Sequence, residues 1–153
     1  MSLPRQNSRP SNYSRAKVFW DSEDRQLEDA GPCGLRQRPD FLVDAGTHFV
    51  VLEVDEHQHR DRACECEMVR MVNLTHALQL PTVFVRFNPD AYLPAPGTGD
   101  EVPVRARYDE LLRVLRHRRD TRPDLPEGGC CGVVYLYYDG DHSSEHCVMH
   151  VLA

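Results

Sequence analysis

Apolar and polar positions follow two rhythms along the chain, and each change of rhythm marks an element. Phe41-Leu42-Val43 and His48 to Val54 are short apolar, β-branched runs around Ala45-Gly46. They predict a hairpin whose second strand is buried on both faces. Polarity then begins abruptly at Asp55 and lasts to Arg62, so this strand empties into a charged mouth. From Arg62 to Leu80 no glycine or proline intervenes, and Met71, Leu74 and Leu78 recur at helical spacing beside Val69, Val72 and Ala77. Pro81 stops this helix, and Thr82 to Phe87 reads as a short buried strand before the Asn88-Pro89-Asp90 turn. A strand, a long helix and a second strand predict a βαβ crossover with parallel pairing. Leu93 to Pro103 reads as a surface loop. Val104 to Arg119 then forms a second helix, with Tyr108, Leu111, Leu112 and Leu115 inward and its arginines outward. Cys131 to Tyr138 and Glu145 to Leu152 suggest a C-terminal hairpin over Asp139-Gly140-Asp141. Near the start, Asp21 to Ala30 reads as one or two helical turns closed by Gly31-Pro32.

Length and composition narrow the class. The chain has 153 residues, and residues 1–13 are polar with two prolines, so the reading is a flexible arm followed by a single domain over 14–153. With 41% hydrophobic and 27% charged residues it matches an ordinary globular protein. No apolar run approaches the ~20 residues of a membrane span, and no secretory leader is evident. The expectation is an intracellular protein with no membrane partner. Its six cysteines then read as thiols or metal ligands rather than a disulfide framework. The net charge of -6 argues against indiscriminate coating of nucleic acid. That charge is uneven, since seven arginines against three acidic residues leave Val104–Arg122 at +4 and the remainder at -10.

The densest chemistry lies at the strand end. Asp40 is followed by Glu53-Val54-Asp55-Glu56-His57-Gln58-His59. Strand alternation puts Glu53 and Asp55 on one face, about 6.7 Å apart along the backbone, with Asp40 able to join from the neighbouring strand. Three carboxylates meeting there would repel unless a divalent cation lay between them. The same residues also read as an ordinary solvated strand end.

Arg38-Pro39-Asp40-Phe41, then Val51-Leu52-Glu53-Val54-Asp55, His59, Arg70 and Val83-Phe84-Val85-Arg86-Phe87 together resemble the PD-(D/E)XK nuclease superfamily. The nearest branch is the one related to the very-short-patch-repair endonuclease, and the likeness covers roughly Arg36 to Asn88. It implies an α/β fold: a restriction-endonuclease-like mixed sheet flanked by helices, here with a C-terminal β-hairpin. It also implies an endonuclease that hydrolyses phosphodiester bonds in DNA with Mg²⁺ or Mn²⁺, RNA being left open as a substrate. Asp40 and Glu53 would be metal ligands, assisted by the Val54 carbonyl. Asp55 would be a further ligand or the proton acceptor for the attacking water. Gln58 or His59 would orient that water, and Glu67 and Arg70 would hold the carboxylates in place from the helix behind. Asp55 stands where most members have lysine, although some restriction enzymes place a carboxylate there; Glu56 replaces a glycine usual in the branch. These departures keep a rival in view, an inactive, zinc-stabilised relative that binds nucleic acid. A second rival is a metal-dependent hydrolase of small phosphorylated substrates.

Cys33, His57, Cys64 and Cys66 are the candidate zinc set, because the repair branch carries a structural zinc beside its active site, but buried thiols explain the cysteines as well. Arg38 and the helical arginines Arg105, Arg113, Arg116 and Arg119 are the candidate phosphate-binding residues, or else a solvated helix face. Symmetric double-strand cutting would call for a homodimer.

Overall fold

The computed structural model describes residues 17–18, 39–59, 64–140 and 150–152. The expectations for the 1–13 arm, the Asp21–Ala30 turns and residues 145–149 lie outside the described residues. Strands β1 (Lys17–Val18), β2 (Phe41–Asp44), β3 (Phe49–Val54), β4 (Thr82–Phe87), β5 (Cys131–Leu136) and β6 (His150–Leu152) form one sheet in that spatial order. Helix α1 (Cys64–Leu78) connects β3 to β4, and α2 (Val104–Asp120) connects β4 to β5.

The turn at Ala45-Gly46 closes the β2–β3 hairpin, with Gly46 at φ 83° and its N–H donating to Asp44 Oδ1 at 2.7 Å. The pairing is antiparallel, with Phe41 opposite Leu52 and Asp44 opposite Phe49. The β3–β4 and β4–β5 pairs are parallel, and β5–β6 is antiparallel. The sheet is therefore mixed. A second parallel crossover, through α2, extends the expected βαβ unit.

Alternation along the central strands sorts their side chains into two apolar layers. Val51, Phe84 and Val133 pack with Met71 and Leu74 of α1. Val50, Leu52, Val83, Val85, Phe87 and Val134 pack with Leu111 and Val114 of α2 on the opposite face. The two helices thus flank the sheet, one on each side.

The inner face of α2 differs from the expected one. Leu111 and Val114 are buried, whereas Tyr108 and Leu112 are 47% and 49% exposed. Arg107, expected outside with the other arginines, is buried. Its guanidinium donates to the Asp90 carbonyl at 2.6 Å and lies 5.6 Å from the Tyr92 ring centre and 5.7 Å from that of Tyr137. The reason is local: the 88–92 turn and the end of β5 offer aromatic faces and a carbonyl where an aliphatic residue would otherwise pack. At the other end of α2, Nε2 of buried His48 lies 2.6 Å from the Arg118 carbonyl and donates to it, which fastens the helix terminus to the hairpin.

Candidate functional site

Because every second β3 residue faces α1, Val51, Glu53 and Asp55 share a side. Val51 belongs to the apolar layer, and the two acidic residues continue that row beneath the N-terminal half of α1. Parallel register sets Arg86 of β4 opposite Glu53. Glu67 and Arg70, three residues apart on α1, reach down from above. All five side chains are buried.

They form two ion-pair groups. Arg70 Nη2 lies 2.9 Å from Glu53 Oε1. Arg86 donates through Nε to Asp55 Oδ2 at 2.5 Å and through Nη2 to Glu67 Oε2 at 2.6 Å. The Tyr138 hydroxyl also donates to Asp55 Oδ2. Burial, and then the charge and hydrogen bonding of Asp55, push the Tyr138 phenol above its usual pKa. Burial works against the Arg86 charge, but the hydrogen bond to Asp55 and the surrounding acidic groups outweigh it and hold the guanidinium protonated.

Three carboxylates in this cluster face two guanidinium groups. The excess negative charge falls on Glu53, whose pKa is raised from 4.5 to about 7, chiefly by burial and despite the opposing pull of Arg70; the charges of Asp40 and Asp55 add to the rise. Exposed Asp40, just before β2, accepts the Val54 N–H through Oδ2 at 2.8 Å. This hydrogen bond ties Asp40 to the end of β3, beside Glu53.

Asp55 differs from the open carboxylate expected of it. It is fully buried and directed into Arg86 and Tyr138, because an anion sealed under a helix demands cationic and hydroxyl donors. Among the described residues, no three His, Cys, Asp or Glu side chains are grouped so as to hold a metal ion. In place of the expected trio the fold presents an Asp40–Glu53 pair, with Asp55 committed elsewhere.

The segment after β3 is backbone-strained. His57 and Gln58 lie in the left-handed region at φ 53° and 58°. The His57 N–H donates to Asp90 Oδ2 at 2.8 Å, and its exposed ring lies 3.4 Å from the same oxygen. Gln58, expected to orient water, spends its amide on Asp139: Nε2 donates to Oδ1, and Oε1 accepts the Asp139 N–H, both at 3.0 Å. Asp139 Oδ1 also accepts the Leu93 N–H at 2.9 Å. Gln58 therefore lashes the loop after β3 to the loop after β5.

Of the remaining expected residues, Cys33 and Arg38, and the side chains of His59 and Cys64, lie outside the described residues. Cys66 is disulfide-bonded, which corrects its reading as a thiol or zinc thiolate. On α2, Arg105 and Arg116 are exposed, whereas Arg113 makes a two-pronged contact with Glu110 at 2.6 and 2.7 Å and Arg119 pairs with Asp120 at 2.6 Å. Half of the expected phosphate-binding face is thus already matched to neighbouring carboxylates.

Two residues of the cluster, Arg86 and Tyr138, were not legible as site residues from sequence. Arg86 does carry a signal, being the one charge in an otherwise apolar strand, which burial obliges to find anions. Tyr138 has none, since only the pairing of β4 with β5 brings it to Asp55. Set beside known proteins, the chain matches no family model, no curated protein and no solved structure.

Proposed function

We propose that the chain is a metal-dependent endonuclease of the PD-(D/E)XK type, acting on DNA. The observation that carries this reading is the pairing of Asp40 with buried Glu53 at the end of a parallel β3 strand, in a cluster with more carboxylate than guanidinium charge. The donors present suit a hard divalent cation in part, as two carboxylates rather than three. Mg²⁺ or Mn²⁺ held by Asp40 and Glu53 would supply Lewis acidity toward a phosphate oxygen and lower the pKa of an attacking water. The chain's own residues have separate tasks. Arg70 steers the Glu53 carboxylate, Arg86 fixes Asp55 and Glu67, and the Gln58–Asp139 link holds the strained loop beside the pair. Arg105 and Arg116 are the α2 side chains left to meet phosphates.

The second reading, an inactive nucleic-acid-binding relative, is favoured by one observation: Asp55, at the position of the superfamily's usual lysine, is engaged by Arg86 and Tyr138. Structural zinc would accompany that reading through Cys33, His57 and Cys64. Plasmid nicking in Mg²⁺, Mn²⁺ and EDTA, with wild type and Glu53→Ala, decides between the two. Metal-dependent nicking that disappears in Glu53→Ala is the expected result. Wild type that binds DNA and never nicks would establish the binding module, and nicking that survives Glu53→Ala would place the site elsewhere.

A further inference from the structure

At the end of the sheet opposite the carboxylates, the C-terminus of α1 and the segment before β5 enclose a cleft of about 820 Å³. Its lining includes Thr75, His76, Gln79, Arg122, Asp124 and Cys130. That volume falls in the range of small-molecule sites. Two observations point to a ligand. Thr75 is 5% exposed, lines the cleft, and has no hydrogen-bond partner for Oγ1 beyond the neighbouring Cys131 sulfur. Cys130, half-buried in the wall, is a thiol whose sulfur lies 3.7 Å from that of Cys131.

We propose that this cleft binds a small zwitterionic disulfide bearing carboxylates, of the glutathione type, and captures half of it covalently at Cys130. Arg122 offers a guanidinium to a carboxylate, Asp124 a partner for an ammonium group, and the Thr75 hydroxyl a hydrogen bond. In the capture step the Cys130 thiolate attacks one sulfur of R–S–S–R. A Cys130–S–S–R bond forms as the R–S–S–R bond breaks, and the departing RS⁻ takes up the proton that Cys130 gave up. The disulfide is the oxidant and no other is needed.

The neighbouring thiol makes the adduct long-lived. Attack by Cys131 would expel RS⁻ and close a ring between adjacent residues, whose Cα atoms are ~3.8 Å apart, below the ~4.4–6.8 Å that disulfides span. Cys131 is also fully buried at the start of β5, and burial raises its pKa to about 12, so little thiolate is present to attack.

The test incubates the full chain with oxidised glutathione or with uncharged hydroxyethyl disulfide, followed by intact mass and peptide mapping. Expected is a single glutathione adduct on Cys130, retained in Cys131→Ser and absent in Cys130→Ser. Arg122→Ala should slow the glutathione reaction about tenfold, the worth of one charge-assisted hydrogen bond, and leave the hydroxyethyl reaction unchanged. No adduct on native protein that labels readily once denatured would overturn the proposal. So would equal sensitivity of both reagents to Arg122→Ala, or a loss of two hydrogens that links Cys130 to Cys131. The comparison of the two reagents on wild type stands even if a variant fails to fold.

Discussion

A carboxylate sealed beneath a helix persists only with a partner or a proton, and Glu53 and Asp55 meet that requirement differently. Asp55 is matched by Arg86 and Tyr138, so removing it leaves Arg86 buried with only part of its counter-charge. Asp55→Ala should lower stability by ~3–5 kcal/mol in urea denaturation, and Asp55→Lys by at least as much, because it adds a second cation beside Arg86. A neutral outcome would mean that the pair is solvated in solution. Glu53 carries the excess charge instead. Its folded pKa of about 7 stands above the ordinary 4.5, so the folded state keeps a proton that the unfolded chain has released, and the carboxyl opposes folding increasingly as pH rises from 4.5 to 7. In metal-free buffer Glu53→Gln should therefore change little near pH 4.5 and stabilise by up to ~3 kcal/mol above pH 7. Thermal melts across that range check the sign, and a gain independent of pH would refute the assignment.

At the scale of elements, α2 shows why a helical period fixes an element but not its rotation. Tyr108, Leu111, Leu112 and Leu115 all lie within one inward arc, yet the helix settles with Leu111 and Val114 in the core and Leu112 half exposed. Buried Arg107, held by the Asp90 carbonyl and two tyrosine rings, sets that rotation. Leu111→Ala should cost ~2–5 kcal/mol, and Leu112→Ala within about 0.5 kcal/mol. Comparable costs for the two would place both leucines in the core. The turns after β3 and β5 make the same point, since Gln58 looks from sequence like an active-site amide and is used in the fold as a clasp on Asp139.

Across the whole molecule, the +4 segment Val104–Arg122 lies within a chain of net charge -6. Arg113 and Arg119 are matched to Glu110 and Asp120, so α2 offers less field than its arginine count implies. If Arg105 and Arg116 meet the phosphates, charge reversal at both should weaken duplex binding with the fold intact. The salt slope should then shrink by about 0.9 for each phosphate that is no longer neutralised. An unchanged slope would move the nucleic-acid face away from α2. No helix among the described residues is long and apolar enough to cross a membrane, which agrees with the sequence.

Read alone, the sequence determined the β2–β3 hairpin, the α1 crossover, β4 and the α2 segment, because each rests on local periodicity and on the stops supplied by Gly46 and Pro81. It also brought out Asp40 and Glu53, since strand alternation and hairpin pairing are short-range rules. Tertiary structure decided the rest. Whether Asp55 is open or sealed depends on Arg86 from the next strand and Tyr138 from beyond the strand after it, residues that no spacing connects to position 55. The rotation of α2 and the use of Gln58 were settled likewise, by partners distant in sequence: a buried polar group takes whichever donor or acceptor the packed fold brings to it.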